Sequence, residues 1–311
     1  MVNPRSQNGA LGREWASVAR TIHRELGEFE QVMTSGPGHA TELARKALKQ
    51  GADVVVAIGG DGTLHEVANG FFDASGASIR SDTALGLIPF GTGGDFRKSA
   101  GIPKDVALAA QVIRNGTHRL IDVGRLEYCR EARDGQRDQR IFVNIASFGI
   151  GGLVDRIVNS STKALGGTVS FFLATARAAL KYKNQRVRMI FDENEQDYLD
   201  MAISDVAVAN GRYFGGGMHI APRAELDDGQ FDVVVLGDLT TLDFLTHGHR
   251  IYRGTHLGHP KVKFVRAKRV DAVAVDPNDE VLLDVDGEAP GALPATFTLL
   301  ARALRIVVPP L

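Results

Sequence analysis

A short apolar strand that runs directly into a glycine-rich turn constrains this chain more than any other feature. The run Ala52–Ile58 is rich in valine, and Gly59-Gly60-Asp61-Gly62-Thr63 follows it without a break. Apolar residues then recur at helical spacing from Leu64 to Phe71. The pattern predicts a buried parallel strand, a turn and a helix. Because ligands bind at this edge of an open α/β sheet, the turn is a candidate phosphate site; an ordinary strand-to-helix turn is the alternative.

A second apolar strand, over residues 84–90, also ends in a glycine-rich loop, Gly91-Thr92-Gly93-Gly94-Asp95. Loops that follow strands of one parallel sheet face the same crevice, so the two loops together favour a nucleotide site more than either does alone. Apolar stripes over Trp15–Leu26 and Ala40–Leu48, with a predicted strand at Phe29–Met33 between them, complete an alternating pattern. This alternation predicts a parallel sheet covered by helices.

From about residue 121 the pattern changes to strands separated by turn signals. Strands are predicted over Leu120–Tyr128 and Arg140–Ser147, with a solvated hairpin tip at 130–139 and an alanine-rich helix at 164–183. This pattern is typical of a β-sandwich, and it places a domain boundary near 120–125. Further strands are predicted over residues 186–209, 230–237, 262–275, 280–285 and 296–308.

Composition limits the partners and the compartment. The chain has 311 residues and a formal net charge of −1, which argues against nucleic acid as a partner. Cys129 is the one cysteine, so no intrachain disulfide can form, as expected in a reducing cytosol. Since no run of about 18 apolar residues occurs, we predict a cytoplasmic protein whose contact with a membrane is peripheral, at its inner face.

Two acidic segments in the second half are candidates for chemistry. Glu225 to Gln230 forms an acidic turn around Gly229, whose oxygens suit a hard cation such as Mg²⁺. In the second segment Asp284 and Asp286 would share one strand face, with Glu288 just past a glycine turn. A carboxylate there could accept a hydroxyl proton. Ordinary hairpin turns are the alternative for both segments.

A segment rich in histidine and basic residues covers positions 247–269. A metal site needs three or four converging ligands, and the His-x-His pair without nearby cysteines gives it weak support. A solvated basic face is the preferred interpretation, with contact to anionic lipid headgroups as the alternative. The histidines are His247, His249, His256 and His259.

Five motifs, in order along nearly the whole chain, resemble the diacylglycerol/sphingosine-type lipid kinase family in its bacterial branch. NAD kinases and phosphofructokinases carry similar glycine loops, so the glycine loop alone does not identify the family. The five motifs in this order do. The motifs are Asn3-Pro4-Arg5-Ser6, Gly59 through Gly70, Ile88 through Phe96, Val208 through Gly229, and Asp286-Gly287-Glu288.

The resemblance implies an ATP-dependent kinase that phosphorylates a hydroxyl group of a lipid such as diacylglycerol. It implies a fold of class α/β plus all-β: an N-terminal Rossmann-like three-layer α/β nucleotide domain, a C-terminal β-sandwich, and a cleft between them. We place the nucleotide domain at 1–122 and the sandwich at 123–300, with 301–311 returning to the first domain. The implied ATP-binding residues are Asn3, Pro4, Ser6, Thr34, Gly59, Gly60, Asp61, Gly62, Thr63, Leu64, His65, Glu66, Gly91 and Thr92.

The resemblance also implies a Mg²⁺ ion in the acidic turn, held by backbone carbonyls of Glu225 and Gln230 and by the carboxylate of Asp228. It leaves the general base open among three carboxylates. Peripheral membrane contact and a homodimer are further implications. The candidate bases are Asp286, Glu288 and Asp61.

Three positions depart from the family pattern. The apolar first strand that usually precedes the Asn-Pro pair is missing or very short here, because the chain begins Met1-Val2. Gln7 stands where glycine is frequent, and Gly94 stands where asparagine is usual. These departures keep open a catalytically weak lipid or nucleotide sensor on the same fold, and the shared glycine loop keeps open an NAD kinase-like enzyme.

Overall fold

The computed structural model describes residues 1–130, 137–154 and 182–310. Within these ranges the chain forms an α/β part followed by a two-sheet β-sandwich, which confirms the predicted fold class. Most of the predicted hairpin tip at 130–139 and of the predicted helix at 164–183 lies outside the described residues.

The α/β part is built on the strands that precede the two glycine loops. Strands β1 and β2 pair in parallel from Val54↔Ala84 to Gly59↔Pro89, so both loops leave the same edge. Helix α1 packs with α5, and α2 packs with α3. The elements are α1 Ser6–Leu26, α2 His39–Lys49, β1 Val54–Gly59, α3 Asp61–Asn69, β2 Ala84–Pro89, α4 Asp95–Ser99 and α5 Val106–Asn115.

The first strand of the α/β sheet is reduced to one residue. Val2 forms isolated parallel bridges with Ile58 on one side and Met33 on the other, and it is fully buried. The predicted strand at Phe29–Met33 is therefore wrong in extent, since only Met33 takes part in pairing. The position of the usual first strand is nevertheless filled by Val2.

Two sheets form the sandwich. The strands are β3 Thr117–Cys129, β4 Arg137–Phe142, β5 Ile145–Gly149, β6 Gln185–Phe191, β7 Asn194–Ile203, β8 Asp205–Ala209, β9 Phe231–Leu236, β10 Val262–Ala267, β11 Arg269–Ala274, β12 Leu283–Val285 and β13 Ala292–Val308. One sheet runs in the order β1-β2-β13-β11-β6-β7, with β3 pairing β13 and β4, and the other runs β10-β9-β8-β5-β12.

Phenylalanine pairs close the sandwich core between the sheets. Phe142 of one sheet stacks on Phe231 of the other at 5.6 Å between ring centroids, and Phe148 stacks on Phe297 at 5.7 Å. All four rings are fully buried. Such pairs contribute about 0.5–1.5 kcal/mol each beyond the area that they bury.

Three long strands of the sequence prediction are wrong, because the chain changes sheet inside them. The run 140–147 is split between β4 and β5, since backbone N–H groups at Val143 and Asn144 donate to the Asp286 carboxylate instead of a neighbouring strand. The run 186–209 forms β6, β7 and β8, and the run 262–275 forms β10 and β11.

A helix that the sequence prediction missed interrupts the β-rich half. Helix α6, Thr241–Arg253, follows β9 and begins with a capping box between Thr240 and Asp243. It ends at Gly254, whose φ of +67° is a left-handed conformation that suits glycine. The capping box and the terminal glycine are both visible in the sequence. The prediction nevertheless followed the basic and histidine-rich composition of the segment, which indicates a charged surface.

Strand β13 joins the two parts of the fold. It pairs antiparallel with β3 along most of its length, and Ile306 near its end pairs in parallel with Leu85 of β2. The register shifts between Leu300 and Leu304, where Arg302 has a φ of +49°. One continuous sheet thus links the glycine loops to the sandwich. The domain limits at 122 and 300 stay predictions.

Candidate active site

The two glycine loops lie against each other. The backbone N–H of Phe90 donates to the carbonyl of Gly59 at 2.6 Å, and a Cβ on Gly91 would come within 2.6 Å of the Gly60 Cα. Only a residue without a side chain fits at Gly91 without moving backbone. From the neighbouring turn the side chain of Gln7 donates to the carbonyl of Gly91 at 3.2 Å. The structure therefore brings the predicted loops together as one surface.

Asp61 ties the first glycine loop to the helix that follows the second. Its Oδ2 accepts hydrogen bonds from the backbone N–H of Gly94 at 2.8 Å and of Asp95 at 3.4 Å, at the start of α4. Its Oδ1 has no hydrogen-bond partner among the described residues. Burial raises the pKa of Asp61, and the negative charges of Asp95 and Asp286 raise it further. The carboxylate is thus both a cap for α4 and part of an acidic cluster.

An open cleft of about 130 Å³ lies beside the first loop. Its lining includes four of the sequence-predicted nucleotide residues: Asn3, Thr34, Thr63 and Glu66. The amide of Asn3 donates to the hydroxyl of Thr63 at 3.0 Å, which holds the N-terminal turn against α3. Arg5, which the sequence prediction did not include, also lines the cleft. Arg5 lies in the Asn-Pro-Arg turn, next to residues that were predicted to bind nucleotide. Its positive charge at that position could have identified it as a phosphate-binding residue.

Glu66 has a structural role that the sequence did not reveal. Its carboxylate accepts hydrogen bonds from the N–H groups of Gly38 at 2.9 Å and Ala40 at 3.1 Å, at the N-terminus of α2. The hydroxyl of Thr41 donates to the Glu66 carbonyl at 2.8 Å. A carboxylate at a helix N-terminus satisfies free donors and complements the helix dipole. Glu66 therefore fixes one wall of the cleft.

The other predicted nucleotide residues differ in accessibility. Leu64 and His65 point into the protein and are 1% and 2% exposed, so their side chains do not face the cleft. Ser6 is buried beside the first loop, whereas Gly62 and Thr92 are exposed. The remaining predicted residues, Pro4, Gly59, Gly60 and Gly91, lie in the two loops and the N-terminal turn.

The carboxylate of Asp286 is held by four hydrogen bonds. It accepts from the backbone N–H groups of Val143, Asn144 and Ile145 at 3.0–3.1 Å, and its Oδ2 lies 3.1 Å from Nδ1 of His65. The side chains of Asp286 and His65 are each 3% exposed. Since His65 belongs to α3, this pair fastens the Asp286 turn to the helix of the first glycine loop.

Glu288 is the accessible carboxylate of the same turn. Its side chain is 38% exposed, and its Oε2 accepts a hydrogen bond from Arg140 at 2.8 Å. Arg140 is oriented in turn by the hydroxyl of Tyr128 at 3.2 Å. Glu288 thus has a fixed orientation and can be reached by a ligand. Asp286 also has a fixed orientation, but its carboxylate is buried.

Asp95 connects the second glycine loop to the sandwich, and the sequence prediction did not include it among the site residues. It is 5% exposed; its Oδ1 accepts from Lys98 at 2.8 Å and its Oδ2 from the backbone N–H of Gly216 at 2.7 Å. Its position at the end of the glycine-rich loop, in the Gly-Gly-Asp-Phe stretch, is the sequence signal that could have identified Asp95 as a site residue. Asp95 closes the site between the two parts of the fold.

The acidic turn brings Glu225, Asp228 and Gln230 close along the chain, and both oxygens of Asp228 are engaged. Its Oδ1 accepts from the N–H of Gln230 at 3.2 Å, and its Oδ2 pairs with Arg266. The turn offers the oxygen donors that Mg²⁺ prefers, but the cation would have to displace the guanidinium of Arg266 from the carboxylate. The metal assignment stays a prediction.

Asp232, which lies beside this turn, predicts a pH dependence of stability. Burial raises the pKa of Asp232 to about 6, against nearby guanidinium groups that lower it. The folded protein therefore takes up a proton as the pH falls through 6, before the unfolded chain does, so this group adds stability on acidification. Between pH 7.5 and pH 5 we expect a gain of about 1 kcal/mol from this group, absent in Asp232→Asn. Urea unfolding of both proteins at the two pH values measures the difference.

Comparison with known proteins assigns the chain to a family. Residues 1–126 match the diacylglycerol kinase catalytic domain, and residues 144–308 match the YegS C-terminal NAD kinase beta sandwich-like domain. A protein of Staphylococcus haemolyticus named diacylglycerol kinase is 30% identical over 99% of this chain and 86% of its own length. The chain belongs to the diacylglycerol kinase family. It is accordingly a phosphotransferase of the kinase class.

Other relatives agree with this family assignment. A Bacillus subtilis protein named diacylglycerol kinase is 29% identical over 99% of this chain and 94% of its own length. Two crystal structures of Bacillus anthracis proteins described as diacylglycerol kinases share the fold, with TM-scores of 0.74 and 0.69 at 24% and 20% identity. They cover 99% of this chain and 95% and 94% of their own. Among the described residues no helix is long and apolar enough to cross a membrane.

Proposed function

We propose that this member of the diacylglycerol kinase family transfers the γ-phosphate of ATP to a hydroxyl group of a lipid such as diacylglycerol. The observation that carries the proposal is the contact between the Asp286 turn and helix α3. Glu288, an accessible carboxylate, follows Asp286 by two residues in the turn that this contact holds against the helix of the first glycine loop. Diacylglycerol is given as the example of a substrate because the Bacillus subtilis and Staphylococcus haemolyticus relatives are named diacylglycerol kinase.

The nucleotide phosphates would bind in front of the joined glycine loops. There the N-terminus of α3 offers free backbone N–H groups, and Arg5 adds a positive charge in the cleft. Backbone donors and a cation are the groups that stabilise the charge of a transferring phosphoryl group. When bound with ATP, Mg²⁺ would neutralise further phosphate charge. Asp61, whose Oδ1 accepts no hydrogen bond among the described residues, would be a ligand for this cation.

Glu288 is the general base that we propose among the three candidates. A base must accept a proton from the substrate hydroxyl within hydrogen-bond distance, and it therefore needs an accessible lone pair. Asp286 is 3% exposed and accepts four hydrogen bonds. Asp61 holds the start of α4 through Oδ2, and we assign its Oδ1 to the cation that accompanies ATP. Arg140 keeps Glu288 oriented for the attack.

A lipid screen tests the proposal directly. The purified protein is incubated with γ-labelled ATP and a detergent-dispersed total lipid extract, and the products are separated and counted. We expect label in an organic-soluble phospholipid, and the labelled species identifies the lipid. Absence of labelled lipid, with ATP binding intact, would argue for a nucleotide or lipid sensor instead. Because the substrate would be a lipid, the proposal includes peripheral contact with the membrane.

Replacing Gly62 with alanine should increase stability and weaken nucleotide binding. It lies in α3, and a Cβ there would meet nothing within 4 Å. Gly62→Ala should raise the free energy of unfolding by about 0.5–1 kcal/mol, as glycine-to-alanine changes in helices do. The same methyl group would project to where the phosphates approach, so we expect ATP affinity to fall by about tenfold or more. Urea unfolding and calorimetric titration with ATP measure the two effects.

Gly248→Ala is a matched control for this prediction. Gly248 also lies inside a helix, and a Cβ there would likewise meet nothing within 4 Å. It should gain similar stability while its ATP affinity stays that of the wild type. Unchanged ATP affinity in Gly62→Ala would place the phosphates away from the first glycine loop.

A further inference from the structure

A cluster of potential metal ligands lies in the β-rich half, apart from the proposed kinase site. Asp243, His247 and His259 each bring one ligand-type atom within 4.8 Å of those of the other two. All three residues are half-buried. Over residues 1–130, 137–154 and 182–310 this is the one group of three such side chains so close together.

Helix geometry and a tight turn produce the cluster. Asp243 and His247 are four residues apart on α6 and therefore share one face of the helix. His259 follows a short 3₁₀ turn, His256–Gly258, which returns the chain to the start of β10. The rings of His247 and His259 approach to 5.1 Å between centroids, at 61°. The cluster thus joins the helix to the strand that follows it.

We propose that Asp243, His247 and His259 bind one divalent transition-metal ion of the zinc type. Two imidazoles and a carboxylate are a donor set typical of zinc, with a fourth position left to water. Imidazole ligands favour zinc and its neighbours over Mg²⁺ or Ca²⁺, which prefer oxygen. The bound ion would fasten α6 to the segment before β10.

The hydroxyl of Thr246 orients His247 for binding a metal ion. Thr246 donates its hydroxyl proton to the carbonyl of Leu242 at 2.7 Å, so its oxygen is left to accept from Nδ1–H of His247 at 2.9 Å. This tautomer leaves Nε2 of His247 with a free lone pair. A hydrogen bond to the second ring nitrogen is the usual way in which proteins orient a metal-binding histidine.

Lys261 is the competitor of the proposed ion. Its Nζ lies 2.8 Å from Oδ2 of Asp243, and its side chain is 41% exposed. Its backbone N–H also donates to Nδ1 of His259 at 3.2 Å, and this bond would have to give way before Nδ1 can carry the proton and Nε2 can bind the ion. A divalent ion would replace the ammonium charge beside Asp243, and the lysine side chain can turn to water.

Titration of the tag-free full chain with Zn²⁺, after dialysis against a chelator, tests the site. We expect one equivalent to bind by calorimetry, and Co²⁺ to give the visible absorption of a four-coordinate site. His247→Gln and His259→Gln should each weaken binding by at least about tenfold. His249→Gln is the matched control, because His249 lies on the same helix but is exposed outside the cluster. Absence of zinc binding, or equal affinity in all four proteins, would overturn the proposal.

Lys261→Met is a second variant, whose expected effect is a gain. Removing the competing ammonium should tighten zinc binding by about two- to fivefold, the range of an exposed ion pair. A loss of fold cannot produce such a gain, so this variant keeps the test informative if a histidine variant unfolds. Unchanged or weaker zinc affinity in Lys261→Met would contradict the coordination by Asp243.

Discussion

Replacing Glu288 with glutamine should lower the turnover number about 10²–10⁴-fold, which is the range that a general base contributes. Glutamine keeps the size of the side chain and can still contact Arg140, but it cannot take the proton of the substrate hydroxyl. Because Glu288 would act only on that proton, nucleotide affinity should stay within about twofold of wild type. Steady-state kinetics with a dispersed lipid, together with calorimetric titration with ATP, measure the two quantities.

The control for Glu288→Gln is Glu195→Gln. Glu195 is exposed in β7, and its substitution makes the same chemical change outside the site. Its turnover should equal that of the wild type. If Glu288→Gln keeps full turnover, Glu288 is not the base, and Asp61 and Asp286 become the remaining candidates.

Asp286→Asn should lower the free energy of unfolding by about 2–3 kcal/mol. The wild-type carboxylate accepts hydrogen bonds from three backbone N–H groups and lies 3.1 Å from Nδ1 of His65. An amide presents one oxygen and turns an NH₂ group toward donors, so buried N–H groups lose their acceptor. Turnover should fall as well, because the turn that carries Glu288 would lose its attachment to α3. Urea unfolding curves at neutral pH measure the stability change.

Asp53→Asn controls for the loss of one negative charge, since Asp53 is exposed directly before β1 and should tolerate the change within about 0.5 kcal/mol. The decisive comparison is between stability and turnover in Asp286→Asn. Wild-type stability together with a large loss of turnover would restore Asp286 as the base. A large loss of stability supports the positioning role.

The glycine loops could be predicted from the sequence because their signals are local. A valine-rich strand, a Gly-Gly-Asp-Gly-Thr turn and a helical stripe lie within 20 consecutive residues, from Ala52 to Phe71, and they define the loop without knowledge of the rest. Helix α6 had local signals too, in the Thr240–Asp243 capping box and Gly254. Its basic and histidine-rich composition predicts a charged surface, whereas these capping signals predict the helix.

The environment of each carboxylate could not be predicted, because it depends on residues far away in the chain. Asp286 and His65 are 221 positions apart, and Asp95 meets Gly216 across 121 positions. No local pattern tells a carboxylate that fixes backbone from one that faces a ligand. The same contacts explain why the strand predicted at 140–147 is divided, since Asp286 takes the N–H groups at the break.

The departures from the family pattern also gain a physical meaning. Gln7 has a φ of +49°, a left-handed conformation that favours glycine, and its side chain bridges to Gly91. Gly94 has a φ of +64° and contributes its backbone N–H to Asp61. The substitution of glycine for asparagine at 94 therefore keeps the backbone contact and removes only a side-chain amide.

Transfer of the γ-phosphate of ATP to purified diacylglycerol tests the central claim most directly. Parallel reactions contain labelled ATP with dispersed diacylglycerol, with NAD, or with no acceptor, and each is run with wild type and with Glu288→Gln. The account predicts a labelled lipid product from the wild type, little from the variant, and no labelled NAD. Label in NAD but not in lipid would contradict it and would favour an NAD kinase-like enzyme.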